Sequence, residues 1–123
     1  MRKNRLLDLF LRFFRILFPI CILVPLVFFS YRLIDGRMED LANIGNQDYH
    51  SGLGLFIFAS HIVLFGINAI LVLLGGIGWL VSQKCKSLPN QEQHILVFRF
   101  LTFAPMISHL VYCLINVIVV NVG

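Results

Sequence analysis

Two apolar stretches of this chain carry the same polar residues at the same spacing: Ser60-His61-Ile62-Val63 leading to Asn68, and Ser108-His109-Leu110-Val111 leading to Asn116. In each copy the Asn follows the His by seven residues, about two helical turns, so both groups stand on one face of a helix. In an apolar medium such groups can hydrogen-bond one helix to another, relay protons or ligate iron, because imidazole and carboxamide are costly to leave unpaired there. The same seven-residue step continues through Gly54, His61, Asn68, Gly75 and Ser82 in one stretch, and through Thr102, His109, Asn116 and Gly123 in the other. Every one of these residues is small or hydrogen-bonding, which is what a close helix-helix seam in lipid requires.

The elements that position this seam follow from composition. The chain has 123 residues, 59% of them hydrophobic and only 13% charged. That is too apolar for a water-soluble domain of this size, and it leaves room for only a few membrane spans. Three stretches, 16–34, 53–81 and 95–120, reach the roughly 20 apolar residues that cross a bilayer as a helix. The expected fold is therefore an all-α integral membrane protein of three transmembrane helices. A basic head (1–15), an outer loop (35–52), a cytoplasmic loop (82–94) and a short outer tail (121–123) complete it.

Charge sets the orientation, since Lys and Arg flanking spans stay on the cytoplasmic side. The head carries Arg2, Lys3, Arg5, Arg12 and Arg15, and the second loop carries Lys84 and Lys86, with Arg99 just beyond. The first loop sets Arg32 and Arg37 against Asp35, Glu39, Asp40 and Asp48. The N terminus is thus expected inside and the C terminus outside. No small-residue cleavage site follows the first apolar run, so that run reads as an uncleaved anchor. The compact chain and the strong inside bias favour a bacterial inner membrane.

Within the head, Asn4, Arg5, Asp8, Arg12 and Arg15 share about a third of a helical circumference, a face expected to meet water, headgroups or a cytoplasmic partner. It is also the basic flank that any first span uses for orientation, and it contains no nucleic-acid motif. Pro19 and Pro25 fall inside the first span and predict a kink.

The loop between the last two spans is short and polar, with Pro89-Asn90 as its turn signal, so these spans must be antiparallel neighbours. A fold about Leu88-Pro89 places His61 level with Asn116, Asn68 with His109, and Gly75 with Thr102. The expected packing seam is Gly54, His61, Asn68, Gly75, Thr102, His109 and Asn116, with interhelical bonds worth about 0.6–2 kcal/mol each. His61 and His109 are the only candidates for a b-type haem. In this register they differ in depth by roughly 10 Å, which argues against one shared iron.

The remaining groups point to no reaction. Asp48-Tyr49-His50 with Glu39 and Asp40 lacks metal-ligand spacing, and no metal site is expected. Gly75-Gly76-Ile77-Gly78 lacks the Lys of a phosphate loop and suits close packing instead. Trp79 and Arg99 fit an interfacial anchor and a snorkelling cation. Cys21, Cys85 and Cys113 form no disulfide framework, although Cys85 sits where acylation occurs. No catalytic constellation is present. The expectation is a non-catalytic accessory, assembly or regulatory membrane subunit, with a membrane-protein partner or a second copy as its associate. The alternatives are a haem-binding redox subunit and a small pore, holin-like or bacteriocin-immunity protein.

Overall fold

A computed structural model describes residues 2–122, with side chains from Arg5 onward. Gly123 and the side chains of Arg2, Lys3 and Asn4 lie outside the described residues. The chain forms three helices: α1 (Arg2–Ala42), α2 (Leu53–Lys84) and α3 (Gln91–Val120). All three are long and apolar enough to cross a membrane.

Each helix runs past the apolar stretch that marks it. α1 begins in the basic head, passes through Pro19 and Pro25 and ends only at Ala42, a length of roughly 60 Å against a hydrocarbon core of ~30 Å. The basic head and the first residues of the expected outer loop, 35–42, are thus continuous with the helix between them. Hydropathy marks where lipid ends, whereas a helix ends where its backbone meets a breaker. The first such position after α1 is the Asn43 to Gly45 turn, where Gly45 has a φ of +86°. Likewise α2 extends to Lys84 and α3 starts at Gln91, preceded by Asn90 in the left-handed region at φ 56°. There the Gln91 side chain donates to the carbonyls of Ser82 and Gln83 at 3.0 and 3.2 Å, satisfying groups that a helix end leaves open.

The contacts of α2 and α3 run in opposite directions along the chain. A Cβ at Gly75 would lie 3.1 Å from Thr102 Cα, and one at Gly78 would lie 2.5 Å from the Phe98 ring, so both glycines are needed for the close approach. α1 lies against both partners and packs more extensively on α3. Its presence turns the buried face of α3. The buried positions there are His94, Phe98, Leu101, Pro105, Ser108 and Tyr112, a heptad pattern one residue away from Thr102, His109 and Asn116. A seam read from a two-helix hairpin faces α2 alone, whereas the real interior faces α1 and α2 together.

One hydrophobic cluster joins Leu11, Phe18 and Ile22 of α1 to Leu71, Phe98 and Leu101. A second joins Leu33, Leu64 and Tyr112 near the other end. The head departs most from expectation. Asp8 is 7% exposed, and its carboxylate lies 2.6 Å from Nε2 of the fully buried His94 and 3.2 Å from Arg12 Nε. The polar stripe is therefore split: Asp8 turns into the bundle, while Arg5 and Arg12 remain exposed. At the opposite end Asp40 accepts from Tyr49 Oη at 2.6 Å and Ser51 Oγ at 2.7 Å, and Arg37 donates to the Val122 carbonyl at 2.7 Å. The bond to Asp40 pushes the Tyr49 phenol up to about 12.

Candidate functional site

The polar residues of the seam gather around His61, two turns into α2. His61 enters a hole formed by His109, Tyr112, Cys113 and Asn116, which are successive neighbours on one face of α3. Asn116 Nδ2 donates to His61 Nε2 at 2.9 Å. The His61 ring centroid is 5.0 Å from that of Tyr112 and 5.5 Å from that of His109. Ligand atoms of His61, His109 and Cys113 all lie within 4.8 Å of one another. One side chain of α2 thus stands near four residues of the facing helix, the pattern that knob-into-hole packing produces.

That geometry overturns the expected separation of the two histidines. Equal-depth pairing assigns each residue one opposite number, but a knob touches residues spread over two turns of its hole. His61 therefore reaches Asn116 and His109 together. The proximity is of little use to a haem, since the porphyrin must lie between its two axial imidazoles. Here the rings of His61, His109 and Tyr112 are in edge contact, and Phe65 meets His109 at 6.2 Å.

Tyr112, which sequence reasoning missed, completes the site from within. It is fully buried, and its hydroxyl lies 2.6 Å from Ser60 Oγ, which also donates to the Ile57 carbonyl at 2.9 Å. The signal for it was available in the α3 heptad of Phe98, Pro105 and Tyr112. Cys113 was also legible, four residues after His109 and so on the same helical face.

The two copies of the motif are used unequally. Ser60, His61 and Asn116 find partners, whereas both polar atoms of Asn68, the Ser108 hydroxyl and His109 Nδ1 are buried and make no hydrogen bond among the described residues. Asn68 and His109 instead border an apolar groove of about 600 Å³, lined also by Phe65, Val72, Pro105 and Met106. Gly75 and Thr102 meet as paired. Gly54 is exposed, and a Cβ there would touch nothing. At that end packing passes to α1, where a Cβ on Gly36 would lie 3.1 Å from Leu53.

At the end of α2 near the short loop, the Arg99 guanidinium lies 5.8 Å from the Trp79 ring centroid, within reach of a cation-π contact. Compared with family models, curated proteins and solved structures, the chain matches none.

Proposed function

We propose that this protein is a non-catalytic, multi-pass membrane subunit that associates with another transmembrane segment along the groove beside Asn68. The observation that carries this reading is the Asn68 carboxamide, buried at the border of an open apolar groove with neither polar atom bonded among the described residues. In lipid no water relieves such a group, and an unpaired buried amide costs about 1–3 kcal/mol. Rotation of the Asn68 side chain into the groove it borders presents the amide to a neighbouring helix that carries a hydrogen-bonding residue, which offsets that cost and covers the groove with ordinary side-chain packing. The associate is a membrane-protein partner or a second copy. The N terminus lies in the cytoplasm and the C terminus outside, with a bacterial inner membrane as the setting; the distribution of Lys and Arg supports this orientation.

The haem alternative gains proximity of its ligands but has no gap for the macrocycle, and nothing in the geometry favours it over assembly. The test is the mass of the particle purified in mild detergent. Wild-type protein is expected as a complex heavier than the 14.1 kDa chain. Asn68→Leu, which removes the unpaired amide at similar volume, is expected to release the lone chain while leaving its helix content intact. A wild-type monomer, or an Asn68→Leu complex of unchanged mass, overturns the proposal.

A further inference from the structure

The cluster of His61, His109 and Cys113 has the composition and placement of a metal centre. We infer that these three side chains form a binding site for a soft monovalent metal ion, copper(I), inside the bundle. His109 and Cys113 are four residues apart on α3 and project from one face, while His61 arrives from α2, so the donors converge from two helices. Their ligand atoms lie within 4.8 Å of one another. Donors bound at about 2.0–2.3 Å around one ion are roughly 3.5–4 Å apart, so side-chain rotations of about 1 Å close the site without moving a helix.

Two further observations point to a ligand. His109 Nδ1 is buried and makes no hydrogen bond among the described residues, although a buried imidazole nitrogen ordinarily finds one. The Asn116 carboxamide sits on His61 Nε2 while its own Oδ1 is buried and unpaired. Turned over, the amide accepts from Nε2–H, which fixes the ring tautomer and leaves Nδ1 as the nitrogen with a lone pair free for an ion. Amide or carboxylate support of this kind is what metal-bound imidazoles ordinarily have.

Charge selects the metal. Thiolate with imidazole suits copper(I) and zinc(II) alike. α2 contains no acidic residue, and α3 has only Glu92 in its first turn, far from the cluster. Of the three ligands only Cys113 carries a negative charge when bound, which neutralises a monovalent ion and leaves a divalent one with an uncompensated charge in a low-dielectric interior. On binding, copper(I) forms a bond to Cys113 Sγ and displaces the thiol proton to solvent. One proton leaves per ion, and no electron is transferred.

The experiment is anaerobic competition for copper(I) between the full chain in mild detergent and a chromophoric copper(I) chelator. One ion per chain is expected. The double variant Cys21→Ser/Cys85→Ser, in which Cys113 is the only thiol, is expected to keep it. Cys113→Ser and His61→Leu are expected to lose at least tenfold in affinity, and Asn116→Leu to lose about 10–100-fold as a supporting residue. X-ray absorption of copper in the Cys113-only chain reads the ligands without relying on variants that remove one, and two nitrogens with one sulfur are expected. No uptake by the wild type, unchanged affinity in Cys113→Ser, or a ligand set without sulfur overturns the inference.

Discussion

Asp8 and His94 are separated by most of the chain and yet share a 2.6 Å contact in the interior. Asp8 was legible as one member of a basic, water-facing stripe, because periodicity reports which residues share a face and says nothing of what meets that face. The contact has a consequence for stability. Asp8→Ala strips His94 Nε2 of its partner while His94 Nδ1 is already unbonded, so both nitrogens of a fully buried ring are left unsatisfied. Unfolding of the detergent-solubilised protein, followed by helical circular dichroism, is expected to show a loss of about 1–3 kcal/mol. Arg12→Ala removes only the exposed partner of Asp8 and is expected to cost less than about 1 kcal/mol.

Among the helices, the contact of α2 with α3 depends on what is missing from Gly75 and Gly78. A methyl group at Gly75 meets Thr102 backbone at 3.1 Å, and backbone cannot rotate aside as a side chain can. Gly75→Ala is therefore expected to push the helices apart and to destabilise the bundle by about 1–3 kcal/mol in the same unfolding measurement. Gly54→Ala, where a Cβ touches nothing, is expected to leave stability within about 0.5 kcal/mol. The sequence places both glycines in one heptad. What separates them is α1, which takes over packing at the Leu53 end, and no period within α2 reports on a third helix.

For the whole molecule, the orientation proposed from the distribution of Lys and Arg puts the short loop in the cytoplasm and the Asn43 to Gly52 connection outside. An impermeant maleimide applied to a Cys85→Ser chain is expected to label Lys86→Cys only in inside-out vesicles and Asp48→Cys only in right-side-out ones. The reverse pattern overturns the orientation. The helices, at roughly 45–60 Å, exceed the hydrocarbon core at each end. The Asp8, Arg12 and His94 cluster stands at one end of the bundle and the Asp40, Tyr49 and Ser51 cluster at the other.

Composition and periodicity by themselves determined three long apolar helices, the tight connection of α2 to α3, and the level pairings of His61 with Asn116 and Gly75 with Thr102. These are local or nearly local properties: hydrophobic length sets a span, and a short loop forces its two helices to be neighbours. Tertiary structure alone decided the rest. It turned Asp8 inward, gave Tyr112 rather than Asn68 the interior bond, and brought His61, His109 and Cys113 into one cluster. The physical reason is that a helix presents a whole circumference, and only the position of the third helix selects which arc is covered. Within the covered arc, a knob meets four residues of its hole, so contacts follow the angle of packing rather than depth along the chain.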